Sequence, residues 1–334
     1  MVFNRICILH LNQIGDLIFS FPLLKALRDA FPGAVIHSVV KPYLKELLSC
    51  TSYADEIMLR TGGTAAKVKL FRTIRNNQYD LVISLSRSQE CLALAALSGA
   101  RVKAGFPPVL WSLGFNVRDA IEGHNCWYNN AKLLKQLGIP VEKDDYVGLL
   151  QANEDVSDLG LPERFAVISP GASKKRLTKA WDPERFADLI IQLYKRYGLV
   201  SVLVGSKDNE SLNRLILEEV NGKAENRSMD FIDLTGKISL KKLAAVLKKA
   251  RLFVGIDSGV MHMASSIDIP VIGLFGPTDP KYVGPQNKKS VVVRDETLDC
   301  VPCYLKDCDH KNCMMNLSVN SVLSACEKFS SDFL

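Results

Sequence analysis

Short apolar runs alternate with amphipathic stretches along most of this chain. Residues 5–11 form an apolar run of strand length, 16–31 carry a helical period with Pro22 inside it, and 35–40 form a second strand. Together they predict a βαβ opening. The pattern recurs as a strand at 80–85, an alanine-rich helix at 88–97, a strand at 102–106 and a helix at 125–137 that stops at Gly138. Between 141 and 162 the chain turns polar and acidic, with Glu142, Asp144, Asp145, Glu154, Asp155 and Asp158. A domain boundary is expected there. A second series follows: strands at 165–169, 200–204, 231–234, 251–256 and 271–275, and helices at 183–197, 209–220, 240–250 and 259–266. The expectation is an α/β protein of two doubly wound domains, 1–155 and 156–334, with a last helix at 319–329 able to pack back on the first domain.

Composition narrows the class. At 334 residues with 47% apolar side chains, the chain is long enough for two cores. The run 6–24 is broken by Asn12, Gln13 and Asp16 and lacks a small-residue cleavage pattern, so it does not read as a signal peptide. No segment is long enough to span a bilayer. A cytoplasmic setting is expected, where the nine cysteines stay reduced. The net charge of +6 is mild and argues against a dedicated nucleic-acid binder. The excess lies in the first half, which suits an acidic partner such as a phosphorylated acceptor or an anionic membrane surface, although an uneven solvated surface explains it equally well.

The candidate chemistry sits at strand-to-helix junctions. In residues 254–280, VGIDSGVMHMASSIDIPVIGLFGPTDP, the residues Asp257, Ser258, Gly259 and His262 occupy the end of one strand and the opening of the next helix. Free N–H groups and the helix dipole favour a phosphate at such a place. In LNQIGD, Gly15 and Asp16 lie at the first junction; Asp16 suits either helix capping or proton abstraction from a hydroxyl. In PGASKKRLTKAWDPERF, Lys174, Lys175 and Arg176 fit a solvated charge run, whereas Lys179 precedes Trp181 and the helix start Asp182-Pro183, which favours a placed cation. VGSKDNE puts Ser206 and Glu210 in another crevice loop, where an acidic side chain can accept from a ribose diol. The dinucleotide glycine fingerprint is missing, which disfavours an NAD enzyme. Finally, Cys300, Cys303, Cys308 and Cys313 form C-x2-C-x4-C-x4-C, a spacing compatible with structural zinc or iron, with His310 as a substitute ligand. Disulfides and plain reduced thiols are the alternatives.

Taken in order, LNQIGD, PGAS with KAW, VGSKDNE, and GIDSGVMHMASS with GLFGPTDP resemble the ADP-heptose:lipopolysaccharide heptosyltransferases of glycosyltransferase family nine, over nearly the whole chain. The resemblance implies a GT-B fold, two Rossmann-like domains facing a central cleft, with the acceptor on the first and the sugar nucleotide on the second. It implies an inverting transfer that requires no metal cofactor. By residue, Asp16 matches the family's general base, Lys179 and Asp257-Ser258-Gly259 its diphosphate-binding elements, with His262 in the same turn; Glu210 matches the position near the ribose, and Thr278 the loop closing the donor pocket. The implied partners are an ADP-sugar and a lipid-linked or phosphorylated glycan acceptor at the inner face of the cell membrane. Some relatives carry a similar cysteine-rich segment, and certain protein-modifying heptosyltransferases hold iron with one. Ser258 stands where many relatives have threonine, Met261 replaces a smaller polar residue, and SKKR is an insertion. These departures leave another nucleotide sugar open. A sugar-nucleotide epimerase is the competing enzyme reading; a nucleic-acid binder using a cysteine knuckle lacks the basic and aromatic interleaving it needs.

Overall fold

The valine-, isoleucine- and leucine-rich runs assemble into two fully parallel sheets, as strands apolar on both faces do when helices cover both sides. In this computed structural model, residues 2–123, 127–171, 176–223 and 230–333 are described. The first sheet contains β1 (Arg5–Leu9), β2 (Val35–Val40), β3 (Glu56–Leu59), β4 (Leu81–Ser84), β5 (Val102–Gly105) and β6 (Val117–Arg118), in the order β3-β2-β1-β4-β5-β6. The second contains β7 (Phe165–Ser169), β8 (Val200–Leu203), β9 (Phe231–Asp233), β10 (Leu252–Ile256), β11 (Val271–Leu274) and β12 (Ser290–Val293), in the order β12-β11-β10-β7-β8-β9. Counted from the start of each unit, the two orders are identical. Each sheet belongs to its own compact unit, 1–149 and 150–334.

That order decides where each crevice lies. In the first unit β1 pairs with both β2 and β4, and in the second β7 pairs with both β8 and β10. The chain therefore reverses its direction of travel across the sheet at the carboxyl ends of β1 and β4, and again at those of β7 and β10. Loops diverge at such a point and leave room for a ligand.

The predicted helix 16–31 is two helices, Ile14–Ile18 and Phe21–Ala30. Pro22 is the cause: it lacks an N–H for the preceding turn and is tolerated only in the first turn of a new helix, where it stands. The pattern reading also passed over β3, β6, β12 and the helix Thr64–Asn76. That helix fully buries only Leu70 and Ile74, with Phe71 half-buried against the same cluster, so its apolar stripe is too thin to register. The predicted helix 125–137 is described as Trp127–Gln136; its first residues lie outside the described ones. The last helix, Val319–Glu327, buries Val322, Leu323, Ala325 and Cys326 in the second unit's own core, beside the helix Pro183–Tyr197. There Trp181 meets Phe186 edge-on at 4.8 Å and donates its indole N–H to Leu317 O at 2.9 Å.

Gly255 in β10 stands in register with Ser169 of β7. A Cβ built there would stand 2.7 Å from Ser169 O and 2.9 Å from the Phe253 ring. Gly255→Ala is therefore expected to lower stability by about 1–3 kcal/mol, the usual cost of overpacking. Urea denaturation measures it, and an unchanged midpoint would contradict the close approach.

Candidate active site

Asp257 is the first residue beyond β10 and is 8% exposed. Its Oδ2 accepts from Lys179 Nζ at 2.5 Å and from Thr278 Oγ1 at 2.7 Å. Three sequence candidates from three separate segments thus converge on one carboxylate. Lys179 closes the 3-10 turn Leu177–Lys179 and is anchored on both sides: Thr178 Oγ1 donates to Leu305 O at 2.9 Å, and Asp182 caps the helix Pro183–Tyr197 by accepting from Glu184 N–H. The ammonium is thereby held at the strand ends. Lys174 and Lys175 lie outside the described residues, and Arg176 leads into the turn.

Next to this pair the helix Gly259–Ile267 begins. Ser258 is its N-cap, yet makes no side-chain capping bond, and its buried hydroxyl oxygen has no hydrogen-bond partner. An orphaned hydroxyl and the N–H groups of a first turn, beside a pinned ammonium, form an anion-binding arrangement. His262 lies in the same helix and is 3% exposed. Burial pushes its imidazole down to about 4, the Asp257 carboxylate opposing and the Lys179 ammonium adding to the fall. It is neutral near pH 7, so it adds no positive charge to the site.

The β8 loop forms a second wall. Ser206 opens the turn Lys207–Asn209 in a reciprocal capping box with Asn209. The Asn209 side chain also fills the space against Gly171, where a Cβ would come within 2.3 Å of it. Glu210 begins the helix Glu210–Lys223 and presents its carboxylate beside Gly236, just beyond β9. Asn209 and Gly171 escaped the motif reading, although the S-x-x-N spacing after Ser206 carries a capping signal.

In the first unit, Gly15 and Asp16 lie in the opening turn of the helix Ile14–Ile18. Asp16 lines a cavity of about 10 Å³, with room for about one water, together with Leu11, Phe19, Leu85, Phe106, Asn129 and Asn130. The cavity sits at the carboxyl ends of β1, β4 and β5. Around it stands a polar group absent from the sequence reading. Arg60, 2% exposed, bonds Asn12 Oδ1 and pairs with Glu90 at 3.0 Å, while the Tyr43 hydroxyl donates to Asn12 O. Burial raises the Tyr43 phenol, and the Asp16 carboxylate adds to the rise. Arg60 is invisible to motif reading because it follows β3, the edge strand that the pattern did not reveal. Behind the loop, His10 is buried between Ser20 Oγ at 3.0 Å and Ser38 Oγ at 3.1 Å, and burial takes it down to about 3.

Among the described residues the cysteine cluster is not gathered into the metal centre that its spacing allows. Four thiols are a donor set that suits zinc or iron, but among the described residues no three His, Cys, Asp or Glu side chains are arranged to hold an ion. Cys313 is buried with its sulfur against Gly276, where a Cβ would come within 2.9 Å, whereas Cys300 is exposed. Burial raises the Cys313 thiol, and the neighbouring Cys303, Cys300 and Cys308 reinforce the rise. The four are neighbours as free thiols.

Comparison with known proteins decides the family. Residues 67–314 match the model of glycosyltransferase family 9 (heptosyltransferase). The chain belongs to this family. Lipopolysaccharide heptosyltransferase 3 of Escherichia coli strain K12 is 26% identical over 94% of both chains. Among solved structures, the family 9 glycosyltransferase from Veillonella parvula superposes with a TM-score of 0.82 at 23% identity, covering 99% of this chain and 98% of that one. E. coli heptosyltransferase WaaC with ADP superposes with 0.73 at 22% identity, covering 97% and 99%. The two parallel sheets of this family 9 chain are thus those of a GT-B glycosyltransferase.

Two outcomes follow from the buried groups. His10 and His262 have folded pKa values of about 3 and 4, below the 6.5 of a free imidazole. Between those values the unfolded chain binds more protons, so stability is full above about pH 6.5 and falls as pH drops towards 4. Tm measured across that range should fall, and less steeply in His10→Gln; an identical slope would contradict the assignment. Chelation is expected to leave Tm unchanged, because the thiols hold no cage together. A chelator-induced drop of more than about 5 °C, on the order of 1–2 kcal/mol for a chain of this size, would restore a structural ion.

Proposed function

We propose that this family 9 glycosyltransferase moves a heptose from ADP-heptose, with inversion, to a lipopolysaccharide inner-core acceptor. The observation that supports this best is Lys179 pinned by Asp257 beside the open N-terminus of the helix Gly259–Ile267 and the orphaned Ser258 hydroxyl. A leaving diphosphate places its new charge on such groups without any solvent reorganisation. The related WaaC structure, solved with ADP, is consistent with that donor class.

In this reading the second unit binds the sugar nucleotide. Lys179 and the helix N–H groups receive the diphosphate, Ser258 donates to a phosphate oxygen, and Glu210 accepts from the ribose hydroxyls. Asp257 positions Lys179, and Thr278 holds Asp257. The first unit binds the acceptor, whose hydroxyl loses its proton to Asp16 and attacks the anomeric carbon as the bond to ADP breaks. Protein cations carry the leaving charge, so the transfer proposed needs no catalytic metal. The acceptor is a lipid-linked or phosphorylated glycan, and the enzyme works at the inner face of the membrane. No helix of the described residues is long and apolar enough to cross that membrane.

Calorimetric titration with ADP, UDP, GDP and NAD is the test of the donor. Selective ADP binding supports the reading, and selectivity for UDP or GDP, or no binding, overturns the heptose assignment. Lys179→Ala is expected to weaken ADP by about ten- to a hundredfold, the worth of a charge-assisted hydrogen bond. Asp16→Asn should keep ADP affinity and lower kcat by about 10²–10⁴; normal turnover in that variant would remove Asp16 from the chemistry.

A further inference from the structure

One stretch of the first unit carries more than the whole net charge of the chain. Residues 57–118 contain nine Lys and Arg side chains against only Asp80 and Glu90, in a protein of net charge +6. Both acids are already engaged: Asp80 accepts from the N–H groups of Asn4 and Arg5, and Glu90 pairs with Arg60. Most of the cations point outward. Lys67, Lys69, Arg72 and Arg75 are exposed on the helix Thr64–Asn76, Arg87 is exposed on the loop after β4, and Arg118 is exposed at the end of the edge strand β6.

The same stretch holds the three most exposed large apolar side chains of the described residues. Val109, Leu110 and Leu113 are 90%, 87% and 98% exposed, all within the 3-10 turn Val109–Gly114. The turn is braced rather than loose. The Trp111 indole N–H donates to Gln89 Oε1 at 2.7 Å, Arg118 donates to Ser112 O at 2.9 Å, and a Cβ on Gly114 would press to 2.8 Å from Ala96. Phe115, next along, is buried in one cluster with Leu70 and Ile74 of the basic helix, so turn and helix cover the same face of the sheet. Soluble surfaces scatter their apolar side chains singly; three held in one tip, beside cations without acidic partners, mark a contact surface.

We propose that this face docks on an anionic lipid bilayer, the cations of the helix Thr64–Asn76 against the headgroups and Val109, Leu110 and Leu113 in the acyl boundary. Charge complementarity selects the occupant: a bilayer offers anions in a plane and apolar depth beneath them, and both features are displayed here together. The inference rests on the proposed function, which puts the enzyme at the inner face of the membrane, and deepens it by naming the face of the first unit that meets the bilayer.

Flotation of the full chain with vesicles tests it. Vesicles of phosphatidylcholine containing phosphatidylglycerol should carry the protein up, and vesicles of phosphatidylcholine alone should not. At ~1 M salt, where the Debye length falls to about 3 Å, binding should weaken strongly. The triple variant Val109→Ser/Leu110→Ser/Leu113→Ser should lose at least about tenfold in vesicle affinity, and Lys67→Gln/Lys69→Gln/Arg72→Gln about a hundredfold, both with unchanged Tm and ADP affinity. Equal binding by wild type and variants, or no binding to the anionic vesicles, overturns the proposal. So does a wild-type dimer that the serine variant converts to monomer in sedimentation, because the face would then belong to a second copy. The readout needs neither donor nor turnover, so its failure leaves the transfer reading untouched.

Discussion

Asp257 could not be left alone where it stands. A carboxylate almost withdrawn from water costs several kcal/mol unless opposite charge and hydrogen bonds compensate it, and the same holds for the Lys179 ammonium. The two compensate each other at 2.5 Å, with Thr278 completing the carboxylate's bonds. This mutual dependence places Lys179 at the end of the central strands. It also sets the character of the adjacent helix. Asp257 uses its lone pairs on Lys179 and Thr278, and Ser258 makes no capping bond of its own, so the first turn of the helix Gly259–Ile267 carries no side-chain cap. The positive end of the helix and a pinned cation then lie side by side, which concentrates favourable potential for an anion in one small volume.

Much of this was legible in the residues. Alternating apolar runs revealed both doubly wound units, because strands buried on both faces leave a continuous apolar signature. The turn 257–259 could be placed at a strand end from its neighbours alone. The ion pair could not, since Lys179 and Asp257 lie 78 residues apart and only the order of the strands brings them together. The edge strands β3, β6 and β12 are short or half exposed, and the helix Thr64–Asn76 has only two buried residues. Edges and thin stripes carry little periodic signal. With them went Arg60 and the polar group around Asn12. The cysteine spacing is legible in another sense: it fixes how far apart thiols can be, not that they turn towards one point, and Cys313 is buried in the core.

The two units use one strand order for different tasks. In the first, the ends of β1 and β4 surround a carboxylate, two buried asparagines and apolar walls; in the second, the ends of β7 and β10 surround a cation and a helix N-terminus. The scaffold supplies a place, and the loops supply its sign of charge.

The shared order has a consequence for how the molecule comes into being. A crevice bounded by a unit's first and fourth strands does not exist while only three strands have emerged from the ribosome. On the growing chain the second unit has β7, β8 and β9 in hand some twenty residues before β10 arrives to bring Asp257 to Lys179. Until then Lys179 is an unpaired surface cation without a site to serve. Each crevice is therefore completed in a single late step, and a truncated fragment that stops short of β10 would keep three strands of the sheet but not the Lys179–Asp257 pair.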